Sequence, residues 1–512
     1  MECSSLDPPA VERPWQPFHS MPDPIRPGSV SFDISFKKAR ASEPIGEDTL
    51  LRIVILGGFG ARTEATACRP VRVSCDNFDA ACAQFGASLR LPPCAEGTPE
   101  IDLPFRKVDD FHPDQLLKNV APLANLAQLR VRLLDPGSAE TAAGELRGIF
   151  TGGAAGTAAE PAASASTEST DDTFARLLGK PKPEASAPAS PSSIVERLLR
   201  QAVSTTKVAA PSAEQAQLLS MLDAELAARL RKILHHPDFQ ALEAAWRGLD
   251  FLVRESGDDV QLHVIDVSRE ELHRQLASLD HPAATPMARM IEQIAPAMIL
   301  STFSFGPGDT GALLKIARLA AACGTAFIGG ADPGLVGCSS FGSQPNPWDW
   351  AKSAGPELDA FAELRRMPES SHLGLATPRF LVRLPYGRES DSIQTFPFEE
   401  FSGAGCHECY LWASPAFLCG HRLINAFADD GWEMELGGAG GEIGGLPVHS
   451  FNADGEKQAK PCGEAWLSEK AADVILSHGL MPVLSVRGRD SVILASLQSI
   501  SDPAAPLAIR RG

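Results

Sequence analysis

The residues best suited to chemistry in this chain stand between positions 406 and 421: Cys406-His407-Glu408-Cys409, then Cys419 and His421. Thiolates and imidazoles are natural zinc ligands, and two clusters about ten residues apart could converge on one ion. A zinc-dependent cytoplasmic enzyme is therefore one reading of the segment. Packing is the competing one. Tyr410, Leu411 and Trp412 follow at once, Pro415 breaks the stretch, and no second paired-cysteine motif appears. Free cysteine commonly serves as a small buried apolar residue. Buried or interfacial structural residues are the favoured reading, with no metal and no cofactor.

Other chemical candidates are weaker. Leu56-Gly57-Gly58-Phe59-Gly60 suggests a phosphate turn, but the third glycine of a dinucleotide fingerprint is missing and no Gly-Lys-Ser/Thr element follows. A turn at the end of a strand accounts for it. His235 and His236 are adjacent, so they point apart and suit capping of a helix start better than joint metal binding. Glu399-Glu400 is an acid pair by sequence only, and acid–base work needs two carboxyls whose environments separate their pKa values. There is no Gly-x-Ser-x-Gly elbow and no zinc-peptidase pair of histidines. The glycine run from Gly437 to Gly445 reads as a turn leading into a strand at Val448. No catalytic residue is assigned.

Composition narrows the class. With 46 Lys and Arg against 64 Asp and Glu, the 512-residue chain has a net charge of -18. Such a chain binds duplex nucleic acid poorly, because that affinity comes from cations neutralising phosphates. No apolar run reaches about 18 residues without a charge or breaker, so no membrane insertion is expected. The start is acidic and proline-broken rather than signal-like. Eleven cysteines in 512 residues are too few for a disulfide framework. A cytoplasmic, mostly reduced protein follows.

The elements that must position these residues are legible by period. Leu50 to Leu56 is a branched apolar strand. Leu116, Leu117, Val120, Leu123, Leu126 and Leu129 share a helix face, with Pro122 marking a break or restart. Between Gly152 and Ser193 the chain turns to Ala, Ser, Thr, Pro and Gly, a tether that buries too little to order itself. One island, 171–180, reads as a short helix carrying Phe174, Leu177 and Leu178 as an apolar docking face. The clearest helix follows His235-His236-Pro237-Asp238, where Phe239, Leu242, Trp246, Leu249 and Val253 form a continuous stripe and a structural core. Glu243 and Arg247 are four apart, an ion pair worth about 0.3 kcal/mol on a helix surface. Val260 to Val264 alternates as a strand, and Ser268 with Glu271 caps the next helix. Further strands are expected at Phe380–Leu384 and Val448–Phe451, with a hairpin around Val483 to Leu494. Arg379 and Arg383 alternate with apolar residues there, serving either buried local salt bridges or contacts with another subunit.

The run Ile233-Leu234-His235-His236-Pro237-Asp238-Phe239-Gln240-Ala241-Leu242-Glu243-Ala244-Ala245-Trp246-Arg247-Gly248-Leu249 resembles the large sheath subunit of bacterial type VI secretion systems. Pro378 to Gly387, Phe398-Glu399-Glu400, Gly431-Trp432 and Gly444 to His449 continue the resemblance in order, over roughly 194–502. More faintly, Ile53 to Phe59 and Val108 to Pro113 resemble the small sheath subunit. The resemblance implies an α/β fold of mixed sheets with flanking helices, in two sheath-subunit-like units joined by a disordered linker. Their bounds are 30–151, a linker at 152–193, and 194–512. It also implies a noncatalytic structural role in a contractile sheath. The partners would be copies of itself or other sheath subunits, an inner-tube protein, a baseplate, and a ring ATPase that disassembles contracted sheath, for which Phe174, Leu177 and Leu178 are the candidate contact. The large-subunit family usually continues past the equivalent of Ser499, and the first unit lacks a long C-terminal helical part. A sheath-derived monomeric adaptor or assembly regulator is therefore the alternative expectation.

Overall fold

In this computed structural model, residues 50–60, 69–93, 100–150, 212–277, 285–351, 355–401, 405–436, 441–453 and 455–511 are described. Strands β1 (Leu51–Gly57) and β2 (Val71–Val73) precede helix α1 (Phe78–Phe85). The hairpin of β3 (Ser88–Leu91) and β4 (Ile101–Pro104) leads into α2 (Pro113–Asn119), α3 (Ala121–Leu134) and α4 (Ala139–Phe150). Next come α5 (Ala213–Leu234), α6 (Pro237–Glu255), β5 (Val260–Asp266), α7 (Arg269–Ala277), α8 (Pro286–Ile294) and β6 (Met298–Phe305). They are followed by α9 (Thr310–Ala322), β7 (Ala326–Ala331), α10 (Pro356–Arg365), β8 (Leu373–Thr377) and β9 (Phe380–Leu381). The chain continues through β10 (Trp412–Ala413), α11 (Ala416–Asp430), β11 (Glu442–Ile443) and the hairpin β12 (His449–Ala453) with β13 (Glu456–Lys460). It closes with α12 (Glu469–Ser477), β14 (Met481–Ser485) and β15 (Val492–Leu494).

The apolar run of β1 is explained by its position. It lies between β5 and β6, parallel to both, in a nine-stranded sheet of order β11-β15-β14-β8-β7-β6-β1-β5-β2. Six central strands, β14 to β5, run parallel, and the edges are antiparallel. A central parallel strand is covered on both faces and must be apolar throughout. Leu51, Ile53 and Ile55 enter one core with α1 to α6 and α11, whereas Val54 and Leu56 enter a second core with α7 to α10 and α12. Thus a strand from the first sequence stretch completes a sheet whose other central strands come from the second. The described residues between 50 and 511 fall in one compact unit. The fold class is α/β, with mixed strand directions and helices on both faces.

Local signals account for the element boundaries. The His236 ring accepts a hydrogen bond from the Asp238 amide at 3.3 Å, and Pro237 occupies the first turn of α6. Pro122 restarts the chain as α3. The Glu271 amide donates to Ser268 Oγ at 3.1 Å. At the exit of β1, a Cβ on Gly57 would lie 2.1 Å from Thr302 Oγ1, and one on Gly60 would lie 2.6 Å from Asp266 Oδ2. These glycines permit close approach of packed strands. The expected hairpin is present as β14 and β15, with Gly488 at φ 75° in its turn.

Two expectations are corrected. The strand at 380–384 spans only Phe380–Leu381, because Arg383 turns inward to a buried ion pair. Glu243 and Arg247 are paired at 2.7 Å, but Glu243 is fully buried, so this is no surface helix pair. The tether at 152–193 and its island at 171–180 lie outside the described residues.

Candidate functional site

The geometry concentrates at the junction between residues 51–150 and residues 213 onward. Trp246 of α6 is fully buried and meets Phe59, Phe78 and Phe85 edge-on, with ring centroids 5.3, 5.8 and 5.8 Å away. Its indole N–H donates to Phe59 O at 3.0 Å. Two turns earlier, Phe239 packs edge-on against the stacked pair Phe105 and Phe111, at 5.9 and 5.6 Å. Such pairs contribute about 0.5–1.5 kcal/mol each beyond area burial. Leu242 and Leu249 share the same core. The apolar stripe of α6 is therefore the surface on which the N-terminal segment seats.

Polar contacts set the register of that seat. At the end of β5, Asp266 Oδ1 accepts from the Phe59 and Gly60 amides at 2.7 and 3.0 Å. On α2, the Asp114 carboxylate accepts from the Gln394 amide at 3.0 Å and from Thr395 Oγ1 at 2.8 Å. Arg130 of α3 pairs with Asp223 of α5 at 2.6 Å and donates to Thr395 O at 2.9 Å. Charged hydrogen bonds of this kind are directional, which apolar packing is not.

Behind α6 lies a buried charge lattice. Arg383 donates to Glu243 at 3.0 Å and to Glu400 at 2.8 Å, and its guanidinium sits 4.3 Å from the centre of the Tyr386 ring. Arg247 donates to Glu243 at 2.7 Å and to the Tyr386 hydroxyl at 3.2 Å. Glu400 also accepts from the Tyr386 amide at 2.8 Å and bonds the His235 ring at 3.1 Å. Two carboxylates thus answer two guanidiniums. Burial alone would push the Glu400 carboxyl up, but the Arg383 charge and the bonds from His235, Arg383 and Tyr386 outweigh it and hold it at about 2.

A second cluster forms around the sequence motif at 406–409. Arg379 donates to Glu464 at 2.8 Å through Nε and pairs with Glu408 at 3.1 Å. Lys460 Nζ contacts His407 Nδ1 at 2.8 Å, and His407 Nε2 lies 3.4 Å from Glu464. Among the described residues, His407, Glu408 and Glu464 can bring ligand atoms within 4.8 Å of one another. Arg379 and Lys460 already supply the positive charge those carboxylates answer. The proposed joint zinc set is not assembled: Cys419 is buried within α11, and His421 pairs with Glu255 at 3.7 Å and stacks on Phe251. Burial pushes the Cys419 thiol up to about 12, the reverse of what a metal thiolate requires.

Between these clusters, a crevice of about 510 Å³ opens at the carboxyl ends of β1 and β6, lined by Gly58, His235, Gln240, Thr302, Arg379 and Trp412, among others. Chain order in the sheet reverses between these strands, the usual place for a ligand in an open α/β sheet. Its histidine and glutamate serve structure: His235 is held by Glu400, and Glu408 by Arg379.

Residues 216–501 match the VipB family, described as EvpB/VC_A0108, tail sheath N-terminal domain. The chain belongs to this tail-sheath family. Residues 48–141 match a second family, described as type VI secretion system, VipA, VC_A0107 or Hcp2. The chain is also similar to the type VI secretion system sheath protein TssC1 of Pseudomonas aeruginosa, 32% identical over 362 residues that cover 66% of this chain and 72% of that protein. It is a structural component of a type VI secretion contractile sheath. In this sheath protein the two matched segments meet at the α6 junction.

Of the residues singled out from sequence, those at 437–440 of the glycine run and those in the tether lie outside the described residues. Phe239, Leu242, Trp246 and Leu249 lie buried in the junction core. Arg379 and Arg383 form ion pairs within the chain. Phe174, Leu177 and Leu178 fall outside the described residues. Sequence reasoning missed Phe59, Phe78, Phe85 and Phe105 as the partners of α6, since no local pattern joins residues more than a hundred positions apart.

Removing the central cation tests the lattice. Arg383→Met leaves two buried carboxylates short of a partner and should cost about 3–5 kcal/mol in urea unfolding. Acid provides a second test. The Glu400 carboxyl sits at about 2 in the folded chain against an ordinary 4.5, so its contribution is complete above 4.5 and is lost as pH falls toward 2. Glu400→Gln should be less stable than wild type at neutral pH, and that difference should shrink across this acid interval in pH-dependent denaturation.

Proposed function

We propose that this chain is a fused sheath protomer, small-subunit-like and large-subunit-like segments in one polypeptide, that assembles noncatalytically with copies of itself or other sheath subunits in the cytoplasm. An inner tube of secreted ring-forming protein would occupy the lumen, and a baseplate would anchor the polymer. The observation that carries this reading is β1: a strand of the VipA-like match lies between two strands of the VipB-like match. One such polypeptide has a one-to-one ratio of segments built in, and the covalent link raises their effective concentration.

Surfaces on the described part suit repeated contacts. In the β12–β13 hairpin β13 is largely exposed and β12 alternates half-buried with exposed residues, and Trp348 is 79% exposed in a short turn close to the buried Trp350. Exposed backbone edges and isolated large apolar side chains are features an assembling protein can pair with its neighbours. No described helix is long and apolar enough to cross a membrane. The apolar triplet Phe174, Leu177 and Leu178 is proposed, from sequence, as the contact for a disassembling ring ATPase.

Negative-stain microscopy at several protein concentrations, with and without the tube protein, tests the assembly reading. Regular tubes or stacked rings are expected; monomers persisting under every condition would overturn it and favour a sheath-derived adaptor. Pull-down of the ring ATPase should be strongly reduced by joint replacement of Phe174, Leu177 and Leu178 with serine, and undiminished capture would remove that contact.

A further inference from the structure

The thiols of the motif Cys406-His407-Glu408-Cys409 are left without a role once a shared zinc set is set aside, yet their geometry is specific. The three residues His407–Cys409 form a tight turn, closed by a hydrogen bond from the Cys409 amide to Cys406 O at 3.1 Å. A turn closed between residues three apart brings their Cα atoms within about 7 Å. A disulfide spans Cα atoms about 4.4–6.8 Å apart. Cys406 is near enough to the Cys409 thiol to raise it. Cys406 is exposed and Cys409 half-buried, whereas Cys82, Cys323, Cys338, Cys419 and Cys462 are buried. Cys409 also lines the 510 Å³ crevice, which gives a small solute a route to its sulfur.

The turn is held from outside the thiols. Trp412 Nε1 donates to His407 O at 2.8 Å, Gln240 Nε2 donates to the carbonyls of Glu408 and Cys409 at 3.1 Å each, and Glu408 pairs with Arg379. These contacts fix the backbone of the turn and leave the Cys406 side chain exposed.

We infer that Cys406 and Cys409 are an oxidisable dithiol that closes to an intrachain disulfide under hydroperoxide. A two-cysteine turn in a protein of a reducing compartment acts in this way as a reversible site rather than a structural bridge. In the first step the Cys406 thiolate attacks one peroxide oxygen, the O–O bond breaks, and a sulfenic acid and hydroxide form; the hydroxide takes up the proton the thiol released, giving water. In the second, Cys409 sulfur attacks the Cys406 sulfur, the S–O bond breaks, and the departing hydroxyl takes the Cys409 proton as water. Two thiols and one hydrogen peroxide thus give one disulfide and two waters, and an added dithiol reverses the change. The order of attack follows from exposure. Burial, then the neighbouring Cys406, Glu400 and Glu408, push the Cys409 thiol up to about 12, so it serves as the resolving partner.

The test uses the full chain under native conditions. After hydrogen peroxide, free thiols are alkylated in denaturant and the chain is cut with trypsin; Cys406, Cys409 and Cys419 fall in one peptide between Arg388 and Arg422. The expected peptide has lost two hydrogens and carries one alkyl group, on Cys419, and dithiothreitol before alkylation restores three. Cys409→Ser should instead accumulate a dimedone-reactive sulfenic acid at Cys406, and Cys406→Ser should leave Cys409 alkylatable. Oxidation should raise Tm in the wild type and not in Cys406→Ser. Three alkylated cysteines at a peroxide dose that oxidises Cys406 in Cys409→Ser would overturn the proposal. So would a bridge to Cys419 or to a second chain.

Discussion

The structure depends on one strand pairing. β1 fills the gap between β5 and β6, with Leu51 opposite Val260 and Ile53 opposite both Leu262 and Met298. Without it, two central parallel strands would expose their backbone hydrogen-bonding groups in the middle of a sheet covered on both faces, an arrangement that a buried backbone does not tolerate. The pairing joins residues about two hundred positions apart, so its closure entropy is met by contacts made elsewhere on the same segment. The aromatic seat on α6 and the Asp266 clamp at the strand exit supply them.

The charged groups follow the same division of labour. Apolar burial provides most of the association between the segments, but a hydrophobic stripe alone does not set register. Asp114 against Thr395, Arg130 against Asp223, and Asp266 against the Phe59 and Gly60 amides fix the sliding and rotation that packing leaves open. Behind them, Glu243, Arg247, Arg383 and Glu400 lock α6 to the loop after β9. A buried lattice of this kind adds little net stability against a hydrophobic replacement, and its value is in holding one arrangement. That suits a tail-sheath protein, whose protomers must present the same surfaces each time.

The candidate chemistry of the chain dissolves into this framework for a physical reason. His235, weighed from sequence as a metal ligand, and Glu400, weighed as half of an acid pair, bond each other, and Glu408 and His407 are held within the Arg379, Glu464 and Lys460 cluster. A general acid or base must be able to exchange its proton with a substrate. Here the groups are engaged with one another. The crevice at the strand ends has the location of a binding site in an α/β sheet, while His235, Arg379 and Glu408 on its walls are committed to ion pairs.

Much of this was legible in sequence because it is local. The strand at 51–57, the stripe of α6 from Phe239 to Val253, the restart at Pro122 and the hairpin ending in β15 each follow from side-chain period, proline and glycine acting within a few residues. So did the family resemblance, which rests on ordered runs of residues. What only the tertiary structure decided is which partner each pattern meets. The periodicity of α6 marks an apolar face but carries no record that Phe59, Phe78 and Phe85 cover it, and an Arg at 383 is compatible with a surface or an interior until Glu243 and Glu400 arrive beside it. Hydrophobic burial is non-directional, so a sequence specifies that a face must be covered, and the folded chain alone specifies by what.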